Sequence, residues 1–372
     1  MSVKVQNLIV GCGFSGAVLA ERIANIKKER VLLIDRRDHI GGNCFDYLDK
    51  SNIHIQKYGP HIFHTNEKKV IEYIGKFTDW HSYEHKPKAA IDGKLVPLPF
   101  NFNSIRALFD EKDADEYINL LINNYGEGSR VPIFKLAQSK LGKIRDLAQF
   151  VYDKVFLHYS IKQWGIDPKE LDSFVTERVP VCLDYDDRYF RDIFQGIPKN
   201  GYKELFTRML DNPLIQIELN TDYSKIKGKI EYDRFFYTGS IDEFFDYQFG
   251  VLPYRSLIFE FEEHNKKQFQ NVAVVNYPSE KEKFTRITEF KHFLADSSDT
   301  TIIAKEYPFA FTIGNERYYP VPKKENRDLY LKYLSLANKL TNTYFLGRLG
   351  SYQYLDMDKT IFAALSLFEK IK

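Results

Sequence analysis

Residues 5–16 read Val-Gln-Asn-Leu-Ile-Val-Gly-Cys-Gly-Phe-Ser-Gly, and residues 31–43 read Val-Leu-Leu-Ile-Asp-Arg-Arg-Asp-His-Ile-Gly-Gly-Asn. An apolar strand, a glycine turn, a helix, a second apolar strand and an acid follow in the order that a dinucleotide site requires. Gly11 permits the tight turn, Gly13 lets the backbone approach a pyrophosphate, and Gly16 lets the helix pack closely on the sheet. The phosphates would lie at the positive end of this helix. These segments predict a Rossmann-like unit.

The residues around the second strand decide which dinucleotide is expected. Asp35 follows Gly16 by 19 residues, where a carboxylate can accept hydrogen bonds from a ribose. A glycine turn alone arises easily by chance, but the flanking strands and this acid favour a dinucleotide. The pair Gly41-Gly42 and Asn43 would carry the backbone back past the adenosine and the pyrophosphate. An ordinary surface turn is the alternative, but the second glycine pair favours FAD over a nicotinamide cofactor.

The composition agrees with an enzyme of more than one compact unit. The chain has 372 residues, and 53 lysines and arginines nearly balance 51 aspartates and glutamates without a basic stripe, which argues against nucleic acid as a partner. Cys12, Cys44 and Cys182 are too scattered for a disulfide framework or a zinc site and favour a reducing cytoplasm. No apolar run approaches the roughly 18 residues of a membrane span. Neither a metal site nor membrane insertion is expected.

The rest of the chain changes its pattern several times. Residues 88–100 read as a hairpin, and apolar residues at helical spacing between 141 and 155 predict a small inserted helical domain. Residues 255–307 alternate like antiparallel strands. The chain end returns to α/β, with a strand at 343–346 and a final helix from about Thr360.

Seven dispersed segments carry a more specific signal. They are Gly41–Asn43, Tyr58–Thr65, Lys162–Gly165, Arg188–Phe190, Thr285–Glu289, Tyr318–Pro320 and Gly347–Asp358. Each is a modest match, but in this order they resemble the bacterial UDP-galactopyranose mutase family over essentially the whole chain. The resemblance implies interconversion of UDP-galactopyranose and UDP-galactofuranose for cell-surface polysaccharide synthesis, with no net redox change but a requirement for reduced FAD.

The resemblance also implies the architecture. An α/β fold is expected, in which a discontinuous Rossmann-like FAD-binding domain carries a small helical domain with a mobile loop and an antiparallel β-sheet domain. The expected boundaries are 1–78, 200–243 and 338–372 for the FAD-binding domain, 101–175 for the helical domain, and 79–100, 176–199 and 244–337 for the sheet domain. A homodimer is implied as well.

The implied chemistry calls for arginines. In this family the N5 atom of the reduced flavin attacks the anomeric carbon, displaces UDP and forms a covalent adduct with C1. A planar guanidinium can bind two oxygens of the leaving diphosphate. Arg178, near the end of the expected mobile loop, and Arg286, in an apolar strand, match the family's catalytic and substrate-binding positions. A salt bridge with a buried carboxylate is the alternative role for Arg286.

Aromatic and amide side chains would complete the substrate site. Tyr189, Tyr319 and Tyr354 match positions whose hydroxyls contact the diphosphate, although packing is the common fate of such tyrosines. The choice of Tyr319 over the adjacent Tyr318 is left open. Stacking on uracil is expected for Trp164 and Tyr159, and capping of the helical domain is the alternative for Trp164. The remaining substrate-binding residues expected are Phe156, one turn before Tyr159, and Asn276.

Histidines and the chain end would surround the flavin. His61 and His64 alternate with apolar residues, and the resemblance favours His61 as a catalytic residue beside the isoalloxazine, although a structural role is the ordinary one for a lone histidine. Arg348 would favour the anionic reduced flavin. The complete set of expected cofactor-binding residues is Gly11, Gly13, Phe14, Ser15, Gly16, Asp35, Arg36, Gly42, Asn43, Tyr58, His61, Gly239, Arg348, Tyr354, Asp356 and Met357.

Two other functions share this scaffold. A flavin oxidoreductase of the amine-oxidase type would need no diphosphate clamp, so the pair Arg178 and Arg286 argues against it. A flavin protein that binds nucleotide sugars without catalysis would not need to retain every polar residue of the site. UDP-galactose is the expected main substrate, with activity on UDP-N-acetylgalactosamine as an addition.

Overall fold

The computed structural model describes residues 3–168 and 180–371. Within these residues the strands are β1 Val3–Val10, β2 Val31–Ile34, β3 Asp46–Leu48, β4 His54–Gln56, β5 Phe63–Thr65, β6 Trp80–Ser82, β7 Lys88–Ile91, β8 Lys94–Pro97, β9 Arg130–Val131, β10 Val181–Cys182, β11 Phe194–Pro198, β12 Ile215–Glu218, β13 Ile230–Tyr237, β14 Tyr254–His264, β15 Val274–Asn276, β16 Arg286–Glu289, β17 Thr301–Ala310, β18 Tyr319–Pro320 and β19 Thr343–Phe345.

The helices divide into α-helices and a few tighter or wider turns. The described α-helices are Phe14–Arg22, Lys68–Ile74, Phe102–Leu108, Glu111–Tyr125, Ile133–Ala137, Gly142–Val151, His158–Trp164, Gly201–Met209, Tyr223–Ile226, Ile241–Phe244, Lys324–Ala337, Gly347–Gly350 and Met357–Ile371. Two π-helical turns, Ile23–Lys27 and Tyr152–Leu157, extend the helices that precede them, and 3-10 turns occupy Gly42–Cys44 and Phe290–His292. No described helix has the length and apolar character to cross a membrane.

A five-stranded parallel sheet forms the Rossmann-like part of the molecule. Its order is β12-β2-β1-β13-β19, so the chain leaves this sheet after β2 and returns to it twice. The helix Phe14–Arg22 and the final helix Met357–Ile371 pack together, and both contribute to one buried core with the sheet. The predicted α/β class with a discontinuous Rossmann-like unit is confirmed.

A seven-stranded sheet lies in the middle of the sequence. Its order is β18-β14-β17-β16-β15-β7-β8, and neighbours run antiparallel except for β15 beside β7. The hairpin predicted at 88–100 is confirmed as β7 and β8. A three-stranded sheet, β5-β11-β6, carries the segment with His64 in β5.

The helical unit begins at Asn101, whose side chain caps the helix Phe102–Leu108 through the backbone N–H of Ser104. Its apolar residues form a separate core that reaches onto β7 and β8. One short strand, β9, interrupts the helices and pairs with β10, which the sequence pattern did not predict. The last helix of the unit among the described residues is His158–Trp164, which continues from the π-helical turn.

Candidate active site

The two glycine segments pack against each other at the end of the parallel sheet. Gly11 has φ +103°, and an added Cβ would lie 1.9 Å from the Oγ1 of Thr238. A Cβ on Gly42, where φ is +57°, would lie 2.9 Å from the Cα of Gly13. Glycine is therefore required where Gly13 and Gly42 meet. These two residues, 29 positions apart in the chain, form one cradle of bare backbone.

Asp35 fixes this cradle from the second strand. Its Oδ2 accepts a hydrogen bond of 2.7 Å from the backbone N–H of Cys12, and its Oδ1 accepts one of 2.9 Å from the backbone N–H of Arg37. A carboxylate oxygen has more than one acceptor site, so this role leaves capacity for a ligand hydroxyl. Asp35 thus links the glycine turn to the point where a ribose is expected.

A first cavity opens over the cradle. The predicted cofactor residues that line it are Gly11, Gly13, Phe14, Ser15, Asp35, Arg36, Gly42, Asn43, His61, Gly239, Arg348 and Met357. Gly16 lies behind the lining, and an added Cβ would stand 2.0 Å from the carbonyl oxygen of Gly11, consistent with close packing of the helix on the turn. Tyr58, Tyr354 and Asp356 line a second cavity instead.

The first cavity has a charged end of which sequence reasoning identified only Arg36. Arg36 and Arg37 both reach the Oε2 of Glu316, at 2.9 Å and 2.7 Å. Burial opposes the ionisation of Glu316, but the charge of Arg37 and its hydrogen bond lower the pKa of this carboxyl below its usual value. Glu243 and Arg317 line the same end and form an ion pair of 2.8 Å. No local pattern marks Glu243, Glu316 and Arg317, because the tertiary fold brings them to the cavity from distant parts of the chain.

The second cavity gathers most of the predicted substrate residues. Those that line it are Tyr159, Tyr189, Asn276, Arg286, Tyr319 and Tyr354. Three residues, His61, Arg348 and Met357, line both cavities and therefore form a wall common to the two. We call these three residues the shared wall. The fold thus brings a glycine cradle and a cluster of arginine and tyrosines to opposite sides of one small surface.

Arg286 is the first residue of β16, the strand that corresponds to the predicted apolar strand. It faces Glu306 of β17 across the sheet, and its Nε and Nη2 lie 2.8 Å and 2.7 Å from the Oε2 of Glu306. Burial alone would lower the pKa of Arg286, but the charge of Glu306 raises it above its ordinary value. The structure thus contains the buried carboxylate that was the alternative partner. The guanidinium also lines the second cavity, so the two roles coexist.

Tyr319 and Tyr354 form a stacked pair with ring centres 5.4 Å apart. The guanidinium of Arg348 lies 5.3 Å from the first ring centre and 4.9 Å from the second. Its Nη1 and Nη2 donate hydrogen bonds to the backbone carbonyls of Tyr318 and Leu355, which hold the charge in place. Tyr318 itself is buried beside Phe259 and is not among the lining residues, so geometry favours Tyr319.

The remaining uridine candidates lie around the helix His158–Trp164. Trp164 stands beside the cavity residue Tyr319, with ring centres 6.2 Å apart, without lining the cavity. Phe156 is buried against Phe134 and Tyr152, because the π-helical turn Tyr152–Leu157 changes the spacing that would have aligned it with Tyr159. Their part in binding stays a prediction. Arg178 lies outside the described residues.

Two of the three cavity histidines are neutral by burial. Burial lowers the pKa of His61 to about 4, and its Nδ1 lies 2.9 Å from the carbonyl oxygen of Gly59. His85, which sequence reasoning missed because no motif marks it, has a pKa lowered by burial to about 3. His64 stacks on Phe190 and contacts Asp192 at 2.8 Å. It lines only the second cavity, so His61 alone of the predicted pair reaches the cradle.

Comparisons with known proteins show which families this sequence resembles. A family described as UDP-galactopyranose mutase matches residues 154–354, and one described as NAD(P)-binding Rossmann-like domain matches residues 9–77. A probable UDP-galactopyranose mutase of Klebsiella pneumoniae is 39% identical, over 96% of this chain and 92% of that protein. A dTDP-fucopyranose mutase of Escherichia coli is 36% identical, over 96% of each.

Solved structures show the same fold at low sequence identity. A crystal structure of a reduced UDP-galactopyranose mutase superposes with a TM-score of 0.71 at 16% identity, over 99% of this chain and 93% of that one. Putrescine oxidase bound to putrescine gives 0.55 at 12% identity, over 100% and 99%. These two structural similarities show the fold alone. The family match and the relatives at 36% and 39% identity show that this chain belongs to the UDP-galactopyranose mutase family of isomerases.

Proposed function

We propose that this protein interconverts UDP-galactopyranose and UDP-galactofuranose with FAD in its reduced form. The observation that carries the proposal is the shared wall of His61, Arg348 and Met357. A cofactor in the first cavity and a nucleotide sugar in the second would meet at this wall. Contact between the two is what a mutase of this family requires and what a simple nucleotide-sugar binder does not.

The residues of the first cavity fit FAD. The bare backbone of Gly13 and Gly42 leaves room for a pyrophosphate, and Asp35 presents a carboxylate beside the glycine turn. Arg348, held on two carbonyls at the shared wall, places positive charge where it favours an anionic reduced ring. When bound, the reduced flavin supplies the nucleophile for the anomeric carbon of the sugar.

The residues of the second cavity would bind UDP and stabilise it as the leaving group. Arg286 uses Nε and Nη2 on Glu306, and the fork of five N–H donors leaves others for phosphate oxygens. Tyr319 and Tyr354 offer phenol hydroxyls from rigid, stacked rings, and Tyr189 adds a third. Pre-positioned donors of this kind stabilise the charge that develops on a departing diphosphate and keep it near for the return step.

The other roles are proposed from the family resemblance. We propose that Tyr159, Trp164 and Phe156 bind uridine, that Asn276 contacts substrate, and that Arg178 joins Arg286 on the diphosphate. Because the pKa of His61 is lowered to about 4, its imidazole is neutral at pH 7 and can orient a sugar hydroxyl. We also propose a cytoplasmic homodimer with the domain boundaries given above, acting in cell-surface polysaccharide synthesis.

A thymidine sugar is the second candidate substrate. It is favoured by the 36% identity with the dTDP-fucopyranose mutase of Escherichia coli, which is near the identity with the Klebsiella relative. UDP-N-acetylgalactosamine remains a further proposed substrate. Arg286 in the cavity speaks against an amine as substrate, since a cationic amine and a guanidinium repel each other.

The experiment is a product assay on purified, flavin-loaded protein. UDP-galactofuranose, UDP-N-acetylgalactofuranosamine and dTDP-fucofuranose are incubated separately, with and without dithionite under anaerobic conditions, and the sugar nucleotides are separated by chromatography. We expect conversion of UDP-galactofuranose to the pyranose only with reductant. Conversion of the thymidine sugar alone would replace the substrate assignment. Absence of conversion, with oxidation of putrescine in air, would overturn the proposed reaction.

A further inference from the structure

Lys162 places its ammonium among backbone carbonyls of a neighbouring loop. Its Nζ donates hydrogen bonds of 2.5 to 3.0 Å to the carbonyl oxygens of Tyr277, Ser279, Glu282 and Phe284. An ammonium carries three N–H donors, so the four oxygens take up its entire donor capacity. Burial lowers the pKa of Lys162 to about 8, against the opposing charge of Glu282. The geometry therefore describes a fixed tether rather than a solvated surface lysine.

The loop that Lys162 holds joins two residues of the second cavity. Residues 277–285 connect β15 to β16, and the last residue of β15, Asn276, pairs directly with the first residue of β16, Arg286. The backbone N–H of Tyr277 also donates to the carbonyl oxygen of Thr285 at 2.8 Å. The shape of this loop consequently sets where the Asn276 and Arg286 side chains leave the sheet.

The helix that carries Lys162 also contributes to the second cavity. Tyr159, one turn earlier in the helix, lines the second cavity. Arg255 of β14 holds the end of the helix, because its Nε and Nη2 donate to the carbonyl oxygens of Gln163 and Lys162 at 2.8 Å and 3.0 Å. An added Cβ on Gly165 would lie 2.6 Å from the Nη1 of Arg255, so the fit at this end is close.

We propose that Lys162 is a positioning residue for substrate. It ties the helix that carries Tyr159 to the strand ends that carry Asn276 and Arg286, and so fixes the position of Tyr159 relative to these two residues. Lys162 does not line the cavity and acts through these three residues. This inference rests on the proposed function, because it assigns to the second cavity the nucleotide sugar proposed above.

Lys291 provides a matched control in the same chain. Its Nζ donates hydrogen bonds of 2.6 to 3.2 Å to the backbone carbonyls of Lys267, Ser298 and Thr300. Lys291 is buried, at 9% exposure, but it lines neither cavity. Its loss should therefore lower stability without changing the substrate geometry.

The test compares Lys162→Met with Lys291→Met in the flavin-loaded, reduced enzyme. We expect the KM for UDP-galactofuranose and the Kd for UDP to rise about tenfold in Lys162→Met, with kcat and bound flavin nearly unchanged, because a small displacement weakens binding across the cavity. Lys291→Met should lower the Tm and keep the wild-type KM. An unchanged KM in Lys162→Met, or an equal rise in Lys291→Met, would overturn the proposal.

Lys162→Arg covers the case in which Lys162→Met does not fold. Arginine keeps the charge, but its planar guanidinium cannot donate hydrogen bonds to all four carbonyl oxygens as the compact ammonium does. We therefore expect a KM between those of the wild type and Lys162→Met. A wild-type KM in a folded Lys162→Arg, with Lys162→Met unfolded, would assign the lysine to folding alone and refute the proposal. If the wild type itself neither binds UDP nor converts the sugar, the proposed function fails; normal wild-type activity isolates any failure to this inference.

Discussion

The two cavities on either side of the shared wall differ in how much backbone and how many side chains shape them. The glycine cradle of the first is shaped by backbone, since Gly13 and Gly42 meet with no side chain between them. The second is shaped by side chains such as Tyr159, Arg286 and Tyr354, which come from widely separated parts of the chain. A substitution in the first changes whether a ligand fits, whereas one in the second changes which charges and hydroxyls meet the ligand. The two should therefore fail in different ways.

The largest effect is expected at Arg286. Removing this guanidinium should lower turnover by at least about a thousandfold, because it supplies the cationic donors to the departing diphosphate. The Arg286→Met variant alone would also strand the buried charge of Glu306, a loss of about 3–5 kcal/mol in stability. The informative protein is therefore the double variant Arg286→Met with Glu306→Gln.

The double variant should lose turnover and retain its flavin. Single-turnover kinetics and the visible absorbance of the purified protein measure these two properties. The single variant Glu306→Gln is the control for the buried pair. Loss of flavin from the double variant, with turnover per bound flavin preserved, would contradict the separation of the two cavities.

The first cavity is tested at Gly42. In Gly42→Ala, the new methyl group would lie 2.9 Å from the Cα of Gly13, and we expect flavin affinity to fall by about a hundredfold. Gly93→Ala is the control, because Gly93 also has a positive φ, +79°, but nothing lies within 4 Å of an added Cβ. It should lose about 1–2 kcal/mol of stability and keep its flavin. Titration of each apoprotein variant with FAD measures its flavin affinity. Equal affinities in the two variants would refute the proposal that the glycine cradle binds the flavin.

A smaller effect is expected when low pH protonates a histidine of the second cavity and lowers the free energy of unfolding. His85 is neutral in the folded protein because burial lowers its pKa from 6.5 to about 3, so the unfolded chain binds the extra proton below pH 6.5. Stability is therefore complete above pH 6.5 and falls as the pH drops towards 3. From this residue alone, the free energy of unfolding should fall by about 2 kcal/mol between pH 6.5 and pH 5.

Urea denaturation at pH 7.5 and pH 5 measures this loss. His85→Gln should show a smaller difference between the two pH values than the wild type, while His61, with its pKa lowered to about 4, continues to contribute in the same direction. Identical losses in the variant and the wild type would mean that His85 is not buried in its neutral form.

The smallest effect is expected at the uridine side. Tyr159→Phe keeps the ring and removes the hydroxyl, so we expect KM to rise by about three- to tenfold with little change in kcat. Phe156→Leu, three residues earlier in the chain, should also raise KM if its ring binds uridine as proposed. A lowered Tm with an unchanged KM would instead assign the ring to its packing on Phe134 and Tyr152.

The contrast between the cavities also explains what the sequence could predict. Gly11, Gly13, Asp35 and Gly42 lie within one βαβ stretch, where spacing along the chain translates directly into geometry. The resemblance to a known family supplied Tyr159, Arg286 and the other predicted residues of the second cavity, which no local pattern connects. Without it, the cluster would have been read as ordinary packing.

Other contacts were not predictable because they depend on tertiary pairing. Glu306 faces Arg286 only through the register of β16 and β17, and Glu316 reaches Arg36 and Arg37 from a distant loop. His85 follows no motif. Phe156 falls in a π-helical turn, where the spacing of an α-helix no longer tells which side chains share a face.

A crystal structure of the reduced protein with FAD and UDP-galactose bound tests the central claim most directly. We predict the diphosphate on Arg286, Tyr319 and Tyr354, and the sugar against the isoalloxazine ring at His61, Arg348 and Met357. A sugar nucleotide bound elsewhere, or an isoalloxazine ring separated from the second cavity by the side chains of the shared wall, would contradict the account.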